Sequence, residues 1–117
     1  MLDVTSRKPR IVIIDDEPAL QRLLLRHAEQ SGLDVVEALT GAEGFALAVQ
    51  ETPDLILLDL HLPDGSGLDL LRRLKLDVRT RTIPIIAWSG SEAIDREAEV
   101  LLAGASAFFE KTDLRRL

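Results

Sequence analysis

The sequence predicts one α/β domain in which five short strands alternate with helices and form a parallel sheet covered on both faces. Two observations support this fold class. Apolar runs of about four residues, as at 11–14 and 55–58, are typical of strands buried on both faces. Between these runs, apolar residues recur at the spacing of amphipathic helices. A chain of 117 residues also has the size of a single domain.

The elements follow in a regular order along the chain. We predict strands over residues 11–14, 34–39, 55–58, 83–88 and 107–109. A first helix begins at Pro18, because proline is favoured just inside a helix start, and it ends near Gly32. The third helix extends to Val78 and the fourth ends near Gly104. We expect a fifth helix to begin within residues 112–117 and to be truncated, because six residues hardly complete a helix.

Composition excludes several classes of function. Fourteen Lys and Arg against twenty Asp and Glu give a formal net charge of −6, which argues against direct nucleic-acid binding. The absence of cysteine excludes disulfides and thiol catalysis. No apolar run approaches the roughly twenty residues of a membrane span. We therefore expect a cytoplasmic domain over residues 11–117, preceded by a flexible lead-in over residues 1–10.

Polar side chains stand where four of the five predicted strands end. Asp15 and Asp16 follow the first strand, Asp59 the third, Ser89 the fourth and Lys111 the fifth. In an open parallel sheet, ligands bind beyond the carboxyl ends of the strands. We therefore expect these side chains to meet in one crevice.

This set of side chains indicates phosphoryl chemistry. Three neighbouring carboxylates repel one another unless a cation offsets them, and oxygen ligands with room for water suit Mg²⁺. Asp59 follows a rigid apolar strand directly, so it is the predicted phosphoryl acceptor. Mg²⁺, Lys111 and Ser89 would stabilise the transferred group. Each residue alone also has a simpler explanation, since the acidic residues could cap a helix or turn and Ser89 or Lys111 could be ordinary surface residues.

The chain resembles the receiver domains of two-component response regulators, the CheY-like family. The resemblance extends from residue 11 to about residue 117. It rests on the segment IIDDE at residues 13–17 and the segment LLDLHLPDGSG at residues 57–67. It also rests on Ser89 after an apolar strand and on Phe108 three residues before Lys111.

The resemblance implies the rest of the architecture and of the mechanism. It implies a (βα)₅ sheet with strand order 2-1-3-4-5, and phosphorylation of Asp59 by a histidine kinase or phosphotransfer protein. Mg²⁺ would be bound by Asp15, Asp16 and Asp59 together with the backbone carbonyl of His61. Ser89 and Phe108 would act as a switch pair that changes the binding of a downstream protein or output domain.

One position departs from the family pattern. Thr112 follows Lys111 where the family usually has a proline after a cis peptide bond. A cis bond before a residue other than proline costs roughly 2.5–4 kcal/mol, so we expect this bond to be trans or the loop to be rearranged. The reach of Lys111 depends on this turn.

Two other functions remain open at this point. A receiver-shaped interaction domain that is never phosphorylated would explain the same fold, and Thr112 is its best support. An aspartyl-phosphate phosphatase on a similar sheet would need a second Asp two residues after the nucleophile, and that position is His61. We expect a signalling module whose only reactions are its own phosphorylation and dephosphorylation.

Overall fold

The computed structural model describes residues 8–90 and 96–111. Five parallel strands form the central sheet: β1 (Arg10–Ile14), β2 (Asp34–Ala38), β3 (Leu55–Asp59), β6 (Ile85–Ser89) and β7 (Ala107–Glu110). A separate two-stranded antiparallel hairpin is formed by β4 (His61–Leu62) and β5 (Gly65–Ser66). Its strands are only two residues long each and lie within a segment whose turn residues predict a loop.

The order of strands in the central sheet is β2-β1-β3-β6-β7. With the hairpin set aside, these are the first to fifth strands in the order 2-1-3-4-5, and every neighbouring pair is parallel. The predicted α/β fold and strand order are confirmed. The order reverses between β1 and β3, so the carboxyl ends of these two strands border the crevice in which such sheets bind ligands.

Within the described ranges, four helices connect the strands: α1 (Pro18–Gln30), α2 (Gly41–Glu51), α3 (Gly67–Leu76) and α4 (Glu97–Leu102). Side-chain caps begin two of them, since Thr40 accepts a hydrogen bond from the N–H of Glu43 and Ser66 accepts one from that of Asp69. These hydroxyls satisfy backbone donors that the first helical turn cannot pair internally.

Two predicted boundaries were wrong by about two residues. The third helix ends at Leu76 and not at Val78, because Asp77 adopts an extended backbone and accepts a hydrogen bond from the N–H of Arg79. The fourth strand begins at Ile85 and not at residue 83. The N–H of Ile83 is bonded to the Thr80 carbonyl in the preceding turn, and Pro84 has no N–H to donate.

The core lies on both faces of the sheet, because successive strand residues point to opposite sides. One face carries Ile14, Ile56 and Leu58 and packs against the apolar stripes of α2 and α3. The other face carries Ile13 and Trp88, against which side chains of α1 pack. This two-sided packing fixes the strand ends at which the polar residues stand.

Two predictions concern residues at the chain ends. Residues 1–7 of the predicted lead-in and the predicted last helix at 112–117 lie outside the described residues, and Arg10 is the first residue of β1. No helix in the described ranges combines the length and apolar character needed to cross a membrane.

Candidate functional site

Asp15 and Asp59 are held at neighbouring strand ends by backbone hydrogen bonds. The N–H of Asp15 donates to the Ala38 carbonyl at 3.0 Å, which continues the pairing of β1 with β2 by one residue. Asp59 is the last residue of β3. Both carboxylates are buried, and in each the Oδ1 atom accepts a backbone N–H: that of Glu17 at 2.7 Å for Asp15 and that of His61 at 2.9 Å for Asp59.

Three carboxylates converge as the sequence predicts. One oxygen from each of Asp15, Asp16 and Asp59 lies within 4.8 Å of the others, and of the three residues Asp16 is the exposed one. In this cluster the carboxylates of Asp15 and Asp59 are buried, and that of Asp16 faces solvent.

Lys111 reaches this cluster from the end of β7. Its Nζ lies 3.0 Å from Asp59 Oδ2, 3.2 Å from Asp15 Oδ2 and 3.3 Å from Glu17 Oε2. The Lys111 side chain is only 12% exposed. Four carboxylates, counting Asp16, and one ammonium leave a formal charge of −3 in the crevice.

Burial dominates the electrostatics of the two central carboxyls. It raises the pKa of Asp15 and that of Asp59, and the backbone N–H bonds from Glu17 and His61 oppose this rise only in part. Burial acts to lower the pKa of Lys111, but its hydrogen bond to Asp59 and the charge of Asp15 outweigh burial and raise it. Lys111 therefore stays charged, and an additional cation that offsets the repulsion among the carboxylates would stabilise the site.

The donor set fits a hard divalent cation such as Mg²⁺. All three clustered side chains offer carboxylate oxygens, and Mg²⁺ is bound in proteins through one or two carboxylates together with water. Asp15 Oδ2 is buried and accepts no hydrogen bond within the described part of the chain, although Lys111 lies nearby. The ammonium offsets the charge of this oxygen without completing a hydrogen bond to it, and a metal ion would add a direct ligand contact there.

The two predicted switch residues, Ser89 and Phe108, lie on adjacent strands and on the same face of the sheet. Ser89 is the last residue of β6 and is buried, whereas Phe108 is half-buried in β7 and packs against the core. In the parallel register Ala87 pairs with Phe108 and Ser89 pairs with Glu110. Phe108 is therefore two positions from Ser89 along the face they share.

Two further residues, Gln21 and Glu17, contact the site in ways that the sequence did not predict. Gln21 is buried, and its Nε2 donates to the carbonyls of Asp15 at 2.5 Å and Ala38 at 3.2 Å, which fixes the backbone at the end of β1. Glu17 is at the N-cap position of α1 but makes no capping hydrogen bond with its side chain, which pairs with Lys111. Its acidic character after two aspartates was the only sequence signal.

Comparison with known proteins decides the family. The model of the family described as "Response regulator receiver domain" matches residues 11–117. The chain belongs to this family. Receiver domains are signalling modules of two-component systems, which interact with histidine kinases and downstream effectors.

Individual relatives agree with this membership. The receiver domain is 42% identical over 103 residues to the DNA-binding dual master transcriptional regulator RpaA of a Synechocystis species, covering 88% of this chain and 43% of that protein. The chain thus spans less than half the length of this curated relative. A CheY-like receiver domain protein from Methanospirillum hungatei superimposes with a TM-score of 0.81 and 31% identity, covering 94% and 90% of the two chains.

A further structural neighbour has a modified aspartate. It is a response regulator from Burkholderia pseudomallei solved with a phosphorylated aspartic acid, a calcium ion and citrate. It has a TM-score of 0.79 and 28% identity, covering 89% of this receiver domain and 60% of that chain.

The predicted departure at Thr112 lies outside the described residues. Lys111 itself is described, and its ammonium is within 3.3 Å of three carboxylates. The Lys111 side chain therefore reaches Asp59.

Proposed function

We propose that this receiver domain is the phospho-acceptor module of a two-component phosphorelay, and that Asp59 takes a phosphoryl group from a histidine kinase or phosphotransfer protein. The observation that carries the proposal is the environment of the Asp59 carboxylate. One of its oxygens is held by the N–H of His61 and the other by the ammonium of Lys111. The carboxylate is thereby oriented at the edge of the crevice, beside two further carboxylates.

The transfer is a displacement at phosphorus. An oxygen of Asp59 forms the new O–P bond while the N–P bond to the donor histidine breaks, and the leaving imidazole keeps the electron pair of that bond. Lys111 is positioned to donate to an oxygen of the transferred group, since its Nζ already lies 3.0 Å from the acceptor. The same residues would support hydrolysis of the aspartyl phosphate, so the only reactions would be phosphorylation and dephosphorylation of Asp59.

Asp15, Asp16 and Asp59 would hold Mg²⁺, with the backbone carbonyl of His61 as a further ligand. The metal ion supplies positive charge that offsets the incoming phosphoryl oxygens. The structural neighbour from Burkholderia pseudomallei contains a phosphorylated aspartic acid and a calcium ion. It therefore supports both an aspartate as phosphoryl acceptor and a divalent cation in this family. In this chain, Gln21 and the N–H of Glu17 orient Asp15 for the same task.

Ser89 and Phe108 would communicate the phosphorylation to a partner. Ser89 ends the strand next to β3, one position beyond the residue that pairs with Asp59, so its hydroxyl would approach a phosphoryl group on Asp59. Phe108 shares a sheet face with Ser89 and is only half-buried, so its ring can move into space that the hydroxyl leaves. A downstream protein or output domain would then bind the altered surface. Because histidine kinases draw their phosphoryl groups from ATP, the proposal places the chain in the cytoplasm.

The test is incubation with a small acyl phosphate, with and without Mg²⁺, followed by intact-mass measurement. We expect a Mg²⁺-dependent phosphoryl adduct in the wild type and none in Asp59→Asn. Asp64→Asn is the matched control, because it makes the same chemical change on an exposed carboxylate that caps α2. An unlabelled but folded wild type would support the phosphorylation-independent interaction domain instead.

Ser89→Ala tests the switch separately from the chemistry. We expect this variant still to be labelled at Asp59, more slowly than the wild type because a hydroxyl that would stabilise the transferred group is lost. Once labelled, it should lack the phosphorylation-dependent change in hydrogen exchange at Phe108. An unchanged exchange response would contradict the assigned role of Ser89.

A further inference from the structure

We propose that Glu17 is a positioning residue for Lys111. Its carboxylate would hold the Lys111 ammonium when Mg²⁺ binds to the Asp15 and Asp59 carboxylates. This inference rests on the function proposed above. Its basis is the position of Glu17 Oε2, 3.3 Å from Lys111 Nζ, as a third carboxylate on one ammonium.

The three carboxylates around Lys111 are not equivalent. Asp15 and Asp59 are buried and belong to the cluster that can hold a metal ion. The side chain of Glu17 is 34% exposed, so it lies on the solvent side of the ammonium. Glu17 is the partner of Lys111 that does not belong to this metal-ligand cluster.

Glu17 is held in this place by its backbone. Its N–H donates to Asp15 Oδ1 at 2.7 Å, and its carbonyl accepts the N–H of Gln21 in the first turn of α1 at 3.1 Å. N-cap side chains usually accept hydrogen bonds from the helix, but this one makes no such bond. The carboxylate is therefore directed to Lys111 by a backbone that is also bonded to a predicted metal ligand.

A metal ion and an ammonium compete for the same two carboxylates. Both are cations, and they repel each other strongly at short range in a partly buried site. When Mg²⁺ binds, Lys111 must give up part of its contact with Asp15 and Asp59. Glu17 offers the ammonium an anion outside the metal site, so Lys111 can move a short distance and stay beside the acceptor, available to a phosphoryl oxygen.

Calorimetric titration of the whole chain with MgCl₂ tests this role without any phosphorylation. The variants are Glu17→Gln, Lys111→Met and the two combined. Glu29→Gln is the matched control, since it removes the same charge from the same helix, twelve residues and about 18 Å further along. Circular dichroism melting shows that each variant is folded before it is titrated.

We expect Glu17→Gln to weaken Mg²⁺ binding about fivefold and Glu29→Gln to change it less than twofold. In the Lys111→Met background, Glu17→Gln should change the affinity less than twofold, because no ammonium remains to be held. An equal loss in both backgrounds would show that Glu17 acts only through its charge on the metal ion, and would overturn the inference. Unchanged or tighter binding in Glu17→Gln would also overturn it, as would a wild type that binds no Mg²⁺.

Failure of this inference and failure of the proposed function are distinguishable. The calorimetric result concerns metal affinity alone, whereas the adduct on Asp59 is read by mass. A chain that forms the Asp59 adduct but shows no coupling between Glu17 and Lys111 would keep the proposed function and lose only the role of Glu17.

Discussion

The ammonium of Lys111 lies 3.0 Å from Oδ2 of Asp59, across 52 residues of sequence. This contact joins the end of β7 to the end of β3 and places a donor where phosphoryl charge would develop. We predict that Lys111→Met slows labelling of Asp59 by a small acyl phosphate roughly 100-fold at saturating Mg²⁺, the usual effect of removing one preorganised donor. Initial rates from intact mass measure it.

Lys75→Met is the control for Lys111→Met. Lys75 is also a partly buried lysine, but its ammonium donates to the carbonyls of Arg81 and Ile83 after α3. Its removal should leave the labelling rate within about twofold. Equal rates for Lys111→Met and the wild type would contradict the role given to Lys111.

Asparagine substitutions at Asp59 and Asp64 should change stability in opposite directions. Burial raises the pKa of Asp59, so its charged form is disfavoured in the folded chain, and in the absence of metal Asp59→Asn should stabilise the fold by about 1 kcal/mol, or roughly 4 °C in Tm. Backbone N–H bonds from Gly41 and Ala42 lower the pKa of Asp64, so its charge is favoured and Asp64→Asn should lower Tm. Melting curves at pH 7 in a chelator measure both.

Mg²⁺ provides a second comparison for the same pair. A metal ion held by Asp59 should stabilise the wild type against heat by mass action, and this gain should be largely lost in Asp59→Asn. It should be preserved in Asp64→Asn, which leaves all three carboxylates of the cluster in place. A fall in Tm for metal-free Asp59→Asn would contradict the assigned cost of burying this carboxylate.

The sequence predicted the parts of the site that follow from strand order. Asp15 and Asp59 directly follow or end apolar runs, and the carboxyl ends of parallel strands must meet at one edge, so their convergence could be foreseen. The contact of Glu17 with Lys111 could not, because it depends on where a side chain at a helix N-cap turns. Propensity alone favoured a capping role that the side chain does not take.

Local hydrogen bonds account for the predicted boundaries that were wrong. Val78 fits the apolar spacing of α3, yet it is 71% exposed, because the Asp77 carboxylate pairs with Arg79 and the backbone leaves the helix there. The spacing of apolar residues does not show where a side chain hydrogen-bonds to the backbone in place of the helix.

Gly67 should not tolerate a side chain. It is the first residue of α3, and a Cβ there would collide with the Asp59 carbonyl oxygen and lie 2.5 Å from Leu60 Cα. These are backbone atoms at the acceptor, so Gly67→Ala should cost about 3 kcal/mol of unfolding free energy and slow the labelling of Asp59. Urea unfolding and the mass-based rate measure the two effects.

Gly32→Ala separates lack of space from backbone strain. Gly32 has a φ of +76°, and an alanine Cβ at this position would meet no other atom within 4 Å. The substitution should therefore cost only the strain of a left-handed backbone, about 1 kcal/mol, and leave labelling unchanged. Similar losses at Gly32 and Gly67, with no effect on labelling, would contradict the close approach of Gly67 to the acceptor.

The charge of Asp77 should make a measurable contribution to the fall in stability at acid pH. Hydrogen bonds from the side chain and the N–H of Arg79 lower the pKa of Asp77 to about 2 from its usual 3.8. A carboxyl whose pKa is lower in the folded than in the unfolded chain stabilises the fold at every pH above 3.8, and that contribution is lost as the pH falls toward 2. Asp77→Asn should therefore lower Tm at pH 6, and its difference from the wild type should shrink below pH 4. Melting curves from pH 6 to pH 3 test this, with Asp69→Asn as the control, since Asp69 is an exposed carboxylate within α3. A difference that stays constant over this range would show that the charge of Asp77 contributes nothing.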